Sequence, residues 1–421
     1  MNSFSKGVVV KKYIVIIIST FLIHQSVIGQ NISSDSIFMD YLEEQNFPIS
    51  HNNDVTLLPT AVDKFTDLFK HIKQAKKHIH LEYFNFRNDS IATELFKLLV
   101  QKAQEGVEVR ALFDAFGNSS NSKPLKKDHL KRIRSLGIEI EKYDPIRFPY
   151  INHIWKRDHR KIIVIDGIIA YTGGMNIADY YIHGDPDTYG QWYDMHMRIE
   201  GSAVKYFQQI FLNMWNKETK QHIGGSKYYP DPIEIDQSLQ QTLAVVDRWP
   251  RKYPKTVRRA YKEAILSAEH TIRIINPYFV PTPSIRKALK KALKKGVTVE
   301  IMVPAVADIP LVPSTSVYIG NKLRKKGAYI YLFNGGFHHT KVMMIDDKFC
   351  TVGSVNLNSR SLRYDFETNV FIFNHRISNE LDAIFFRDIH RSTLLTEEAW
   401  EDRKTWNKVT GWFGNLLTPF L

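Results

Sequence analysis

The sequence predicts an α/β protein of two similar halves related by a pseudo-two-fold axis, each half a mixed, largely parallel β-sheet flanked by helices. Three observations predict it. Helical periodicity alternates with short β-branched runs along the chain. Gly106 and Gly137 of the first half recur as Gly296 and Gly327 of the second, each pair 190 residues apart. An eight-residue pattern, His-x-Lys-x4-Asp, occurs at His159–Asp166 and again at His339–Asp346, 180 residues apart.

The elements follow in chain order. Lys6, Lys11 and Lys12 precede an uncharged apolar run from Tyr13 to Ile23, and Val27 and Gly29 offer small-residue cleavage positions. Residues 1–29 therefore read as a signal peptide or as an uncleaved membrane anchor, since Tyr13–Ile28 falls just short of the ~17 residues that span a bilayer. Residues 30–55 are polar and read as an irregular lead-in. The first repeat is placed at 30–240 and the second at 241–421, meeting near Gln237–Pro254. In the first, Ile72-x2-Ala75-x3-Ile79-x-Leu81 ends a helix and enters a strand, and Ile265-x2-Ala268-x3-Ile272-x-Ile274 does the same in the second. Each matched glycine follows a basic helix and precedes alternating apolar residues, which fits the position just past a helix end. The first half carries ten extra residues around Pro145–Trp155, either a loop lining a site or a plain surface insertion.

Ile162–Ile165 and Val342–Ile345 are buried-strand runs. Residues two apart on a strand share a face, so His159 pairs with Lys161 and His339 with Lys341. Gly173-Gly174-Met175-Asn176 and Gly353-Ser354-Val355-Asn356 follow at identical offsets. A phosphodiester is anionic and resists attack, so its chemistry needs cations and hydrogen-bond donors on the non-bridging oxygens. Lys161, Lys341, Asn176 and Asn356 supply these without a metal. One neutral imidazole attacks phosphorus, and a second, protonated one gives its proton to the leaving alkoxide. Asp194 and Glu367, downstream of the two Asn residues, either orient the histidines or are ordinary surface or helix-end carboxylates. No His-x3-His, cysteine pair or dense carboxylate cluster stands out, so no metal and no other cofactor is expected.

The duplicated motif with its Gly-Gly/Ser-x2-Asn tails resembles the phospholipase D superfamily. Further stretches resemble its bacterial cardiolipin synthase branch: Leu81-Glu82-Tyr83-Phe84-x-Phe86, Asp158–Lys161, Thr172–Asp179, Asn276–Pro281, and Asn358–Arg363 followed by Phe366, Glu367 and Asn369. The resemblance covers about residues 50–421. It implies that His159 is the nucleophile and His339 the acid/base, with Asp166 and Asp346 supporting the motif structurally. It further implies phosphatidyl transfer between two phosphatidylglycerol molecules, giving cardiolipin and glycerol. The alternatives with the same site are a phospholipase D-type hydrolase, another phosphatidyltransferase, and a nuclease. Members of the branch typically carry two N-terminal membrane segments, whereas this sequence shows one at most.

A formal net charge of +13 and a pI near 9.4 predict attraction to polyanions. With the N-terminal apolar segment, the expected partners are anionic phospholipids and a membrane surface, not nucleic acid. The expected location is the bacterial cell membrane, or outside it after signal cleavage with peripheral attachment. Ser284–Gly296 reads as a basic amphipathic helix with Ser284 as N-cap, and the aromatic tail Trp406–Leu421 either meets a membrane interface or caps the fold. Cys350, the one cysteine, excludes an intramolecular disulfide and reads as a packed, inert thiol.

Overall fold

A computed structural model describes residues 33–145, 155–185, 190–306 and 308–420. The N-terminal apolar segment and most of the Pro145–Trp155 insertion lie outside these residues. Among the described residues no helix is long and apolar enough to cross a membrane.

Two large mixed sheets form the molecule. The first has seven strands, in the spatial order Asn53–Leu58, His196–Gly201, Ile169–Gly173, Lys161–Ile165, His78–Tyr83, Glu108–Asp114 and Glu139–Tyr143. The second has nine: Ile49–Ser50, Thr242–Arg248, Glu367–Phe373, Phe349–Gly353, Val342–Ile345, Thr271–Ile275, Thr298–Pro304, Tyr329–Phe333 and Ser392–Leu394. The motif strands occupy equivalent places, with Ile79 opposite Ile165 in one sheet and Ile272 opposite Ile345 in the other. Within these sheets parallel pairing is confined to Glu108–Asp114 with its two neighbours in the first and Thr298–Pro304 with its two in the second, where Ser90–Gln104 and Pro283–Lys294 cross over between strands. The expectation of largely parallel sheets is corrected here. From each motif onward the links are too short for a crossover, so the motif strand and its successor can only form an antiparallel hairpin.

The matched glycines behave as expected: Gly106, Gly137, Gly296 and Gly327 all have φ between +90° and +100°, ending helices where a side chain would be strained. The basic helix is capped two residues earlier than the sequence suggests. It runs Pro283–Lys294 with Thr282 as N-cap, because a proline at the first helical position has the right φ and no amide hydrogen to leave unpaired.

The lead-in is not irregular. Ser34–Glu44 is a helix and Ile49–Ser50 a strand, and both join the second half. Phe38 decides this: fully buried, its ring lies 5.1 Å from that of Phe349 and 4.9 Å from that of Phe371.

Both motif strands are buried on two faces. Ile162 and Val164 share a core with Val342 and Met344 of the other half, while Ile163 and Ile165, and likewise Met343 and Ile345, point into the separate helix-covered cores. The shared core packs the inner faces of the two sheets against each other and makes the two halves one unit. Cys350 lies inside it, and burial pushes its thiol up to about 12, consistent with an inert packed residue.

Candidate active site

The histidines come together because each is docked on the other half's chain. The His159 amide donates to the Phe366 carbonyl (3.0 Å) and the His339 amide to the Tyr193 carbonyl (2.6 Å). These bonds belong to short parallel pairings, Asp158 with Phe366 and Phe337–His338 with Trp192–Tyr193. The next residue in each opposing chain is a carboxylate. His159 Nδ1 therefore meets Glu367 at 3.1 Å, and His339 Nδ1 meets Asp194 Oδ2 at 2.7 Å. The carboxylates are exchanged between halves, which the sequence did not reveal.

The Gly/Ser difference between the tails follows from the Asp/Glu difference. A Cβ at Gly174 would fall 2.1 Å from Asp194 Oδ1. At the matching position the Ser354 hydroxyl donates to Glu367 Oε2.

Lys161 and Lys341 are fully buried. Lys161 Nζ donates to the His159 carbonyl (2.7 Å), and Lys341 Nζ to the His339 carbonyl. Lys341 Nζ also lies 3.0 Å from His339 Nδ1. Since Asp194 already takes the Nδ1 proton, Lys341 acts on that ring as a charge. Asn176 and Asn356 line the same cavity of about 470 Å³ as both histidines, with Tyr278, Asp308 and Arg360. The Oδ1 atoms of both asparagines are buried without a hydrogen-bond partner among the described residues, and Asn176 Nδ2 donates to the Tyr181 hydroxyl at 3.4 Å.

Asp166 and Asp346 stand apart from this cavity, at the far ends of the motif strands. Asp166 accepts from the amides of Lys76, Lys77 and His78, and Asp346 from those of Glu269, His270 and Thr271, all within 3.0 Å. Both hold positive φ, 53° and 52°. Each ties its motif strand to the chain entering the neighbouring strand. Asp166→Ala should cost about 4 kcal/mol, combining lost charge-assisted bonds with left-handed strain, and Asp166→Asn about half that. Urea midpoints measured on the two variants check the order.

Three residues were given no role from the sequence. Lys64 is fully buried and donates to the carbonyls of Met175 and Asn176, both at 3.1 Å, fixing the first tail. Asn276 fixes the second, accepting from the Leu357 amide at 3.0 Å. Arg160, beside His159, joins Glu82 (3.1 Å) to Asp247 of the other half (2.7 Å). A signal existed for Lys64: it lies on the buried stripe Ala61, Phe65, Leu68 and Ile72 of its helix, where a lysine is out of place.

Burial dominates the electrostatics. It pushes Lys161 down to about 7 and Lys341 to about 8, partly offset by Glu367 and Asp194. Burial, then Lys161, Lys341 and Arg360, hold His159 well below the usual histidine range. Burial and Lys341 bring His339 down to about 4 against the pull of Asp194. The carboxylates differ: burial lifts Glu367 to about 7, whereas for Asp194 burial is outweighed by Lys341 and His339, which keep it below the usual range.

The family described as "Cardiolipin synthase, PLD-like domain" matches residues 68–215 and 261–389, one motif in each segment. The chain belongs to this cardiolipin synthase family of phospholipase D-like proteins. A cardiolipin synthase of Oceanobacillus iheyensis is 33% identical over 381 residues, covering 90% of this chain and 78% of that protein. The major cardiolipin synthase of Bacillus subtilis is 33% identical over 392 residues, covering 92% and 80%. Among solved structures, phosphatidylserine synthase from Haemophilus influenzae Rd KW20 superposes with a TM-score of 0.68 at 16% identity, covering 91% of this chain and 99% of that one, and so shares the two-half fold.

Proposed function

We propose that this chain is a cardiolipin synthase, moving a phosphatidyl group from one phosphatidylglycerol to another through a phosphohistidine. The observation that carries this is the crossed pair of histidine–carboxylate contacts at one cavity with two buried lysines, in a member of this family. With Nδ1 of each ring held by a carboxylate, each Nε2 is left for the substrate. His159 Nε2 attacks phosphorus, the bond from phosphorus to the glycerol oxygen breaks, and His339 gives its proton to the departing glycerol. The terminal hydroxyl of the second phosphatidylglycerol then attacks phosphorus, its proton passes to His339, and the phosphorus–nitrogen bond breaks. Lys161, Lys341, Asn176 and Asn356 bear the charge on the non-bridging oxygens.

The inequality of the two carboxylates supports the division of labour. Asp194 stays ionised and favours an imidazolium on His339, the acid. Glu367 is easily neutralised and three cations surround His159, which favours the neutral nucleophile. An arriving phosphodiester anion offsets the lysine charges, so substrate binding itself raises His339 toward the protonated form the first step needs.

The N-terminal apolar segment and the basic charge support a location at the bacterial cell membrane, with anionic phospholipids as substrates. Purified protein given phosphatidylglycerol alone should form cardiolipin and glycerol in equal amounts. Phosphatidic acid without cardiolipin would instead make the chain a hydrolase.

A further inference from the structure

The C-terminal helix Thr405–Leu416 is mounted the wrong way round for a soluble surface. Its inner face is made of glycines. A Cβ at Gly411 would fall 2.4 Å from the Ser314 carbonyl oxygen, and one at Gly414 1.9 Å from Thr315 Oγ1. The helix is thus pressed backbone-close onto Val312–Arg324, and no rotation can turn a larger side chain inward. The outer face is apolar: Trp406 is 75% exposed, Val409 47%, Trp412 and Phe413 51% each, Leu416 55%, and Phe420 beyond the helix 61%. Their spacing of three and four residues makes one continuous stripe. Burial of this kind of surface is the usual drive for helix packing, and here it is left undone.

Two observations identify what covers the stripe. The first is charge. Arg286 of the basic helix donates to Asn415 at 2.7 Å, and Arg286, Lys287, Lys290 and Lys322 surround a groove beside the aromatic helix with no acidic residue in its lining. Cations flanking an exposed aromatic stripe suit anionic headgroups above acyl chains. The second is continuity with the active-site cavity. The helix on which the stripe is mounted follows directly from Asp308 and Ile309 at the cavity rim, and Ile309 is itself exposed. At the other end the Tyr364 hydroxyl donates to the Pro419 carbonyl, and Tyr364 sits between cavity residues Ser361 and Asp365. Exposed Trp155, its ring 6.1 Å from that of Tyr364, extends the apolar rim.

We infer that the C-terminal helix docks on an anionic lipid monolayer, seating the cavity mouth on the membrane so that a headgroup enters while its acyl chains stay in the bilayer. This rests on the lipid reading above but locates its membrane contact at a named element outside the N-terminal segment. Because Cys350 is buried, a single exposed cysteine can be labelled selectively. In the full-length protein, Phe413→Cys carrying an environment-sensitive fluorophore should shift to the blue on phosphatidylglycerol vesicles and be quenched by brominated acyl chains, and more weakly so on phosphatidylcholine vesicles. The same label at exposed Ser226→Cys, on the other half, should not respond. An unshifted Phe413 label on vesicle-bound protein overturns the inference. The double variant Trp412→Ser, Phe413→Ser should turn over vesicle phosphatidylglycerol about tenfold more slowly, yet leave turnover of monomeric dihexanoyl phosphatidylglycerol unchanged. Equal losses on both substrates would make the stripe merely structural. A wild-type dimer that the variant abolishes would make it a protein interface. The fluorescence readout does not depend on the reaction product, so failure to form cardiolipin and failure to dock are separate results.

Discussion

His339→Gln should retain half of the reaction when the donor no longer needs an acid. With phosphatidylglycerol the variant should lose about 10^3-fold or more in turnover, because both the glycerol leaving step and the activation of the acceptor pass through this ring. A phosphatidyl ester of p-nitrophenol leaves without protonation, so His159 still attacks it. The second step still lacks its base. The expected result is one p-nitrophenol per active site released quickly, followed by a stalled phosphohistidine that mass spectrometry finds on His159. His159→Gln should release no burst at all, since the bond that stores the phosphatidyl group cannot form. The reverse pattern, a burst from His159→Gln and none from His339→Gln, would exchange the two roles while leaving the site intact.

How much of this was legible in the sequence depends on the range of the interactions. The glycine helix ends, the doubly buried motif strands and the duplication are local or periodic, and they appear in the structure where the residues place them. The asparagine tails could be located for the same reason, because they follow their histidines at a fixed offset. Parallel pairing was overestimated because helix–strand alternation announces crossovers, whereas Asp166-Gly167-Ile168 and Asp346-Asp347-Lys348 are short hairpin links with no periodic signature. The helix at Ser34–Glu44 was hidden because its apolar residues pack on strands more than 300 positions later, such as Phe349 and Phe371. The exchanged carboxylates were invisible for a stronger reason. Asp194 and Glu367 each lie downstream of a motif in their own half, and sequence order offers that motif as the partner. Only the docking of the Phe337–His338 segment beside Trp192–Tyr193, and of Asp158 beside Phe366, shows that each carboxylate serves the opposite histidine.

That exchange makes the two carboxylates separable by mutation. Asp194→Asn should lower kcat by about 10^4-fold, the scale seen when a buried carboxylate that holds a catalytic histidine is replaced by an amide. It removes the anion in direct contact with the His339 ring, and it does so with little change of shape beside Gly174. Glu367→Gln should cost only about 10–10^2-fold, because burial already lifts Glu367 to about 7 and His159 works as a neutral ring. The pH dependence of kcat carries the same distinction. With the bound phosphodiester raising His339, activity should rise as pH passes about 7, where Glu367 becomes the anion that accepts the hydrogen bond from His159 Nδ1. It should fall as pH climbs past about 7 to 8, where Lys161 and Lys341 lose the charge that holds the phosphate oxygens. Two opposing limbs this close give a narrow bell near neutrality. Glu367→Gln should flatten its acidic limb and leave the alkaline one, whereas Asp194→Asn should lower the whole curve while keeping both limbs. If Glu367→Gln proved the more damaging and Asp194→Asn flattened the acidic limb, the proton would be carried by His159 and the first attack made by His339.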